Sequence, residues 1–182
     1  SIDKVIAEIP AFVQETVVVN NNSSDATSKV AAQSGATVLD EPRQGYGFAC
    51  LKGIAYAKTK KPDIVVFLDA DYSDYPAEMI DVVKPITEQN YDMVIGSRAL
   101  GNKEAGSMTP QQVFGNWLAT TLMKWIYKVE YTDLGPFRAI KFDKLLALEM
   151  QDTTYGWTVE MQLKAAKQKM KTTEVPVNYR ER

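Results

Sequence analysis

The stretch Val65-Val66-Phe67-Leu68-Asp69-Ala70-Asp71 fixes the register of everything around it. Four apolar residues spell a buried strand, and two acids follow at spacing i and i+2. Side chains on extended backbone alternate between faces, so residues two apart share one. Asp69 and Asp71 therefore aim two carboxylates at a single point just past the strand's C-terminal end. In open α/β sheets that is where ligands bind. Two carboxylates with coordination positions to spare suit a hard divalent cation, Mg²⁺ or Mn²⁺, that also grips phosphate oxygens. The competing account is a polar loop whose acids cap the next turn.

Working outward, apolar spacing at Ile2, Val5, Ile6 and Ile9 predicts a helix closed by Pro10. Glu15 to Val19 is a β-branched run and predicts a strand, ending in the polar cluster Asn20-Asn21-Asn22-Ser23-Ser24-Asp25. A helix over 26–34 with Gly35 as its C′ residue and a short strand over 36–39 follow. The loop Gly45-Tyr46-Gly47 then precedes a helix over 48–58. Beyond the central strand, Tyr75-Pro76-Ala77-Glu78 opens a helix reaching Glu88, with Pro85 bending its last turn. Met93-Val94-Ile95 is the next strand, ending in Gly96-Ser97-Arg98. Strict alternation of helix and strand predicts an α/β fold with a mostly parallel sheet flanked by helices. A chain of this pattern normally opens on a strand, so a first strand missing from this sequence is expected.

The second half changes character. Residues 100–111 are rich in Gly, Asn and Pro and predict a loop. Phe114, Trp117, Leu118, Thr121, Leu122, Trp125 and Val129 then form an apolar stripe at helical spacing. Such a stripe ordinarily faces a core. Two tryptophans near Lys124 and Lys128 raise the alternative of a face that touches a membrane or a lipid-carrying substrate. A loop over 132–138, a strand over 137–141, helices over 144–150 and 158–169, and a strand over 173–179 complete the chain. Pro176 suits that last strand to an edge.

Composition narrows the chemistry. The 182 residues, 45% apolar and 24% charged, make one sizeable domain. A net charge of −2 points to no nucleic-acid partner. A single cysteine, Cys50, excludes an internal disulfide and fits a reducing compartment. No apolar run approaches the ~20 residues that cross a bilayer. The sequence contains no histidine, which removes Ser-His-Asp triads, imidazole bases and His-ligated zinc. Carboxylates, Arg, Lys and a hard metal are left to do the work.

Three strand ends carry polar sets: Asn20 to Asp25, Asp69 with Asp71, and Ser97 with Arg98. If the strands are parallel, all three meet at one sheet edge. That arrangement suits a nucleoside diphosphate, with base and ribose on the first loop, metal and diphosphate at the acids, and arginine as countercharge.

The same residues carry a resemblance. Val18-Val19-Asn20-Asn21-Asn22-Ser23-Ser24-Asp25-Ala26-Thr27, Gly45-Tyr46-Gly47-Phe48-Ala49, Leu68-Asp69-Ala70-Asp71, Gly96-Ser97-Arg98, Gly135-Pro136-Phe137-Arg138-Ala139 and Glu174-Val175-Pro176-Val177 stand in order and at the spacing of glycosyltransferase family 2. The chain resembles that family, of the GT-A fold, and within it the polyprenyl-phosphate sugar transferases. The resemblance implies a nucleotide-sugar donor, UDP- or GDP-linked, and a Mg²⁺ or Mn²⁺ ion at Asp69 and Asp71. It further implies inversion at the anomeric carbon and a polyprenyl-phosphate acceptor. Residues 1–98 would form the nucleotide-binding half and 99–182 the acceptor half of a single domain. An enzyme of this type would be cytoplasmic, peripheral at the inner face of the membrane.

Carried over residue by residue, donor binding falls to Asn20, Asn21, Asp25, Gly45, Asp69, Asp71 and Arg98. Amides at 20 and 21 stand where the family often has acids, and Ser73 stands where mannosyl enzymes often have a further polar ligand. Arg98 and Arg138 would clamp phosphate groups, and Arg180 and Arg182 are acceptor-side candidates whose ordinary role is an exposed tail. Should the acceptor be a hydroxyl, Asp133 is the first candidate base and Glu160 the second, the latter placed equally well to complement its helix dipole. Two other classes compete. A sugar nucleotidyltransferase shares the sheet but calls for a Gly-rich, basic phosphate loop near its start. A non-catalytic nucleotide-sugar-binding scaffold would fit if the amides mark decay.

Overall fold

The computed structural model describes residues 1–102, 104 and 110–181, apart from the side chain of Gln112. Arg182 and most of the expected 100–111 loop lie outside the described residues. Helix α1 (Ile2–Glu8) turns Ile2 and Val5 inward, and Ile9 leaves helical geometry at φ −64°, ψ 128°, as the residue before a proline is pressed to do. Strand β1 (Val17–Asn20), helix α2 (Thr27–Gln33) and strand β2 (Thr37–Asp40) follow. Gly35 ends α2 at φ +90°, the left-handed geometry its sequence position implies. Helix α3 (Tyr46–Lys60), strand β3 (Ile64–Phe67), a 3-10 turn at Pro76–Glu78 and helix α4 (Met79–Gln89) come next. Pro85 sits inside α4, which runs on to Gln89 and closes on left-handed Asn90. The remaining elements are β4 (Met93–Ser97), α5 (Pro110–Tyr127), β5 (Arg138–Lys141), α6 (Phe142–Ala147), α7 (Trp157–Lys167) and β6 (Thr172–Pro176).

The α/β class holds, with one strand running against the expected direction. The main sheet has the order β3-β5-β4-β6, and β5 is antiparallel to both of its neighbours. Arg138 opposes Phe67 on one side and Ile95 on the other. Because β3 and β4 both oppose β5, they are parallel to each other and end at the same edge, where β5 begins. Strand β6 pairs parallel with β4 and forms the outer edge, so the missing N–H of Pro176 costs no ladder bond there. Strands β1 and β2 form a separate parallel pair, with Asn20 opposite Asp40.

Packing ties the two sheets together. The largest core cluster sets Met93, Ile95 and Ile140 of the sheet against Trp157 and Met161 of α7 and Leu145 of α6. The opposite face packs Val94, Phe137 and Ala139 on Met79, Val82 and Ile86 of α4. Leu68 packs against that second cluster and also against Ile2, Val5, Ala31 and Ala36 beneath β1 and β2. The residue immediately before Asp69 is thus a peg shared by both sheets.

Helix α5 departs from the ordinary expectation of a core-facing stripe. Val113, Phe114, Trp117, Leu118, Leu122, Trp125 and Ile126 are exposed, and the helix instead turns Asn116, Ala119, Thr120 and Met123 toward the fold. Met123 enters the main core, while Asn116 on the same stripe reaches the main chain of the following loop: Asn116 Nδ2 donates to Thr132 O (2.9 Å), and Leu134 N donates to Asn116 Oδ1 (2.8 Å).

Helix α3 starts two residues earlier than its periodicity suggests, on a tight contact. Gly45 has φ +148°, and a Cβ there would fall 2.2 Å from Thr153 O. Phe48 N donates to that same carbonyl (3.2 Å). Gly45→Ala is expected to destabilise the fold by about 1–3 kcal/mol through overpacking and backbone strain. Gly115→Ala, at an α5 position with nothing within 4 Å, is expected to stabilise by up to about 1 kcal/mol. Urea unfolding of the two variants checks both signs.

Candidate active site

The sheet edge where β3 and β4 end gathers the charged residues. Asp69 and Asp71 follow β3 and are half-buried. Asp71 Oδ1 accepts from Ser73 N (3.0 Å) and Ser73 Oγ (2.5 Å), which closes a short turn. Ser73 is itself fully buried. On its other side Asp69 lies near the first turn of α3. Burial pushes the Cys50 thiol up to about 12, and the charges of Asp69 and Arg138 act on it in opposite directions. Burial likewise raises the Tyr46 phenol. A thiol raised by burial in this way is disfavoured as a thiolate nucleophile.

Asp74 is the residue that sequence reasoning missed. It is 1% exposed, and neither carboxylate oxygen has a hydrogen-bond partner among the described residues. Burial first, then the charge of Asp69, pushes it up to about 7, with Asp71 and Asp133 adding to the rise and Arg98 opposing it. Three more acids therefore bear on one buried carboxyl. The signal was present as a third acid three residues beyond Asp71, in a segment that otherwise reads as a helix approach.

Arg98 and Asp133 form a buried, bidentate pair. Arg98 Nε donates to Asp133 Oδ2 and Arg98 Nη2 to Asp133 Oδ1, each at 2.8 Å. Asp133 also accepts from Arg98 N and Leu134 N, both at 2.8 Å. Burial works against the guanidinium's charge, but bonding and attraction from Asp133 raise its pKa overall. The loop carrying Asp133 is held from several elements. Glu174 of β6 accepts from Thr132 N (2.9 Å) and Asp133 N (3.2 Å), and Gln162 of α7 donates to Asp133 O (3.0 Å). Glu174 and Gln162 were also missed, because an acid in a strand and an amide in a helix carry no local signal.

The other basic candidates sit differently. Arg138 is 1% exposed, and its guanidinium donates to Gly135 O (3.2 Å from Nε), Leu134 O (3.3 Å) and Thr158 O (3.1 Å). Burial lowers its pKa, opposed by its attraction to Tyr46 and Asp133. Arg180, with the exposed tail as its ordinary expectation, is instead tethered: it donates to Glu8 Oε2 (3.0 Å) and Asp74 O (3.1 Å). Its guanidinium lies 3.6 Å from the Tyr72 ring centre and 3.9 Å from that of Tyr75. Arg182 lies outside the described residues. Glu160 accepts from Gln151 N (3.0 Å) and Asp152 N (2.8 Å) and pairs with Lys164 (2.8 Å), which pins the loop that packs on Gly45.

The end of β1 is bonded across to the end of β2. Asn20 Nδ2 donates to Asp40 Oδ1 (3.0 Å), and Asn20 Oδ1 accepts from Ser23 N (3.0 Å). Asn21 Nδ2 donates to Glu41 O (3.0 Å) and Arg43 O (2.6 Å), while its Oδ1 accepts from Gly45 N (2.9 Å). Asp25 Oδ1 accepts from Thr27 N (3.0 Å) at the entry to α2. The two asparagines thus shape the loop that leads into α3, a task that needs a donor and an acceptor on one side chain.

A divalent cation fits this edge. Among the described residues no three His, Cys, Asp or Glu side chains form a metal cage of their own. Mg²⁺ and Mn²⁺ sites that take one or two carboxylates and fill the rest from phosphate and water need no such cage. The all-oxygen donor set, and an orphaned carboxyl at Asp74 under the field of Asp69 and Asp71, both favour positive charge here.

Comparison with known proteins bears on the family and the fold. Residues 1–148 match the model of the family described as glycosyl transferase family 2. An uncharacterized glycosyltransferase of Mycobacterium tuberculosis is 33% identical over 186 residues, covering 98% of this chain and 79% of the relative. A dolichyl-phosphate hexose transferase of Haloferax volcanii is 30% identical over 187 residues, covering 100% and 78%. Among solved structures, glucosyl-3-phosphoglycerate synthase from M. tuberculosis, in complex with Mn²⁺, UDP and glucosyl-3-phosphoglycerate, superposes at TM-score 0.76 and 21% identity over the whole chain. The chain spans 62 to 67% of the solved chains it superposes on. On the match to its family model and on identity to these relatives, the chain belongs to glycosyl transferase family 2, with the GT-A fold.

Proposed function

We propose that this protein transfers a hexose from a nucleotide-sugar donor to a polyprenyl phosphate, with inversion at the anomeric carbon. The supporting observation is the convergence of Asp69, Asp71 and the Arg98–Asp133 pair at one sheet edge. Residues 1–98 supply the donor side and residues 99–182 the acceptor side. Asp69 and Asp71 hold a divalent cation, Mg²⁺ or Mn²⁺, which when bound stabilises the departing nucleoside diphosphate as a Lewis acid, worth several kcal/mol. The Mn²⁺ and UDP of the solved synthase and the lipid-phosphate substrate named for the Haloferax relative support donor and acceptor class respectively.

The residues of the chain divide the remaining work. A phosphate oxygen of the acceptor forms the new bond to the anomeric carbon as the bond to the diphosphate breaks, and its electron pair leaves with that diphosphate. The acceptor is already an anion, so no proton needs removing. The geometry around Asp133 suits that economy: four donors saturate its carboxylate, which orients Arg98 rather than taking up a proton. Glu160 is likewise engaged with main-chain donors. Arg98, 11% exposed at its side chain, presents charge to the edge, and Arg138 adds to the field from beneath. Asn20, Asn21, Asp25 and Gly45 shape the loops beside the donor's base and ribose. Arg180 stiffens the acidic turn from the acceptor side.

Incubation with radiolabelled UDP-glucose or GDP-mannose, with and without polyprenyl phosphate, is the direct test. Lipid-extractable label is the expected result, and release of free pyrophosphate instead would indicate a nucleotidyltransferase. Asp69→Asn and Asp71→Asn should each abolish transfer at saturating Mn²⁺ while leaving the circular dichroism spectrum unchanged. Arg98→Ala should cost about 3–5 kcal/mol of stability, since it strands Asp133 as a buried, unpaired charge. Chemical denaturation measures this, and the double variant Arg98→Met/Asp133→Leu should recover much of the loss.

Asp74 gives a pH signature. Its folded pKa lies above the unfolded value, so native protein holds more protons between about pH 4 and 7 and loses stability as pH rises through that window. In metal-free buffer, Asp74→Asn is expected to gain about 1–3 kcal/mol over the parent at pH 8 and little at pH 4.5. Thermal melts at the two pH values check the difference.

A further inference from the structure

Glu174 gathers the loop of Asp133 onto a single carboxylate. It stands in the middle of β6, in register with the fully buried Ile95 of β4. Its two oxygens take four contacts, all from Thr132 and Asp133. Thr132 N donates to Oε1 (3.0 Å) and Oε2 (2.9 Å), Thr132 Oγ1 to Oε2 (3.0 Å) and Asp133 N to Oε1 (3.2 Å). Burial raises the pKa of this carboxyl, and the bonds from Thr132 and Asp133 work against the rise.

The hydroxyls beyond it run in one direction. An ionised carboxylate only accepts, so the Thr132 hydroxyl proton is committed to Glu174. Ser97 Oγ, 2.7 Å from Thr132 Oγ1, is then the donor of that pair. Its lone pairs are left to accept from Leu100 N (3.3 Å). The chain thus reads Leu100 N to Ser97 Oγ to Thr132 Oγ1 to Glu174, and it brackets Arg98 between residues 97 and 100. Ser97 is fully buried at the end of β4, where an unmade bond is costly.

Two arms therefore leave Glu174. One fixes Asp133 through its N–H, and the other fixes the backbone on both sides of Arg98 through two hydroxyls. The pair closes the ring, since Arg98 N, Nε and Nη2 all donate to the Asp133 carboxylate at 2.8 Å. Gln162, which donates to Asp133 O (3.0 Å), touches one member only among the described residues. We infer that Glu174 is a positioning residue that sets both members of the Arg98–Asp133 pair from one point, and so aims the guanidinium at the donor's diphosphate. Its effect on transfer rests on the proposed function, whereas its hold on the pair does not.

Nitrogen-15 arginine labelling of the full chain reads the hold without any assay of transfer. The Arg98 Nε–H signal is assigned by its loss in Arg98→Lys. Glu174→Ala should speed hydrogen exchange at that Nε–H by about tenfold or more, while the Ala139 and Ile140 amides of β5 keep their rates. Glu174→Gln should stay within about threefold of the parent, because its Oε1 still accepts both main-chain donors and its amide donates to Thr132 Oγ1, reversing the hydroxyl chain. In transfer from the donor, Glu174→Ala should lose about 30- to 100-fold in kcat/KM, the scale of a misplacement of about 1 Å, and Glu174→Gln no more than about threefold. Thr132→Val cuts only the hydroxyl arm; it should speed exchange at Arg98 by about threefold, and it carries the test if Glu174→Ala fails to fold. Unchanged exchange at Arg98 would overturn the inference, as would an equal acceleration at Ala139 and Ile140, which marks general loosening. So would undiminished transfer by a variant whose Arg98 has been loosened. A loosened Arg98 in a chain whose parent transfers nothing would leave the hold standing and overturn the proposed function. Transfer by the parent, with Arg98 exchange indifferent to Glu174, would do the reverse.

Discussion

The loop from Thr132 to Gly135 is the point on which the charged edge depends. Side chains from five elements or their ends reach its atoms: Asn116 from α5, Arg98 from the end of β4, Arg138 from β5, Gln162 from α7 and Glu174 from β6. A loop with so many main-chain partners has few alternative conformations, and its one buried carboxylate is fixed with it. Ion pairs removed from water gain little net stability over apolar packing of equal volume. The worth of Arg98–Asp133 therefore lies in where it puts a guanidinium. Both charges are held by bidentate bonds whose geometry a lysine would not reproduce.

Three buried charges at this edge are balanced in three ways. Asp133 is matched by a full countercharge, Arg138 by main-chain carbonyl dipoles, and Asp74 only by the unbonded charge of Arg98, with no hydrogen bond to its carboxyl among the described residues. The series runs from a group that stabilises its surroundings to one that is a liability in the empty protein. Buried polar groups are nearly always partnered, so an orphan at this edge is a cost that the rest of the fold must offset. A cation at Asp69 and Asp71 would relieve the repulsion that now bears on Asp74.

Much of this was legible in the sequence. The Asp69–Asp71 spacing, the β-branched runs and Gly35 located the strands and turns, and motif order named the family. What stayed hidden depends on contacts distant along the chain. The antiparallel course of β5 leaves no mark on its own apolar pattern, because a four-residue strand reads alike in either direction. Glu174 and Gln162 acquire their roles only when α7 and β6 come to lie beside Thr132. The α5 stripe could be read from periodicity, yet which side faced the fold could not, since a hydrophobic arc is attracted equally to a core and to a lipid surface. The decisive clue was Asn116 on the opposite stripe.

The clamp on Arg180 has a kinetic consequence. Its guanidinium is sandwiched between Tyr72 and Tyr75 and bonded to Glu8, 172 positions away along the chain. The turn that bears the acidic pair therefore acquires its final rigidity only after segments from opposite extremes of the sequence have arrived. Closing so large a loop is entropically slow, and contacts of that separation form late. The turn after Asp71 should thus be among the final parts to consolidate as the chain folds, and capture of an ion by the proposed site would report completion of the whole assembly rather than of any local piece.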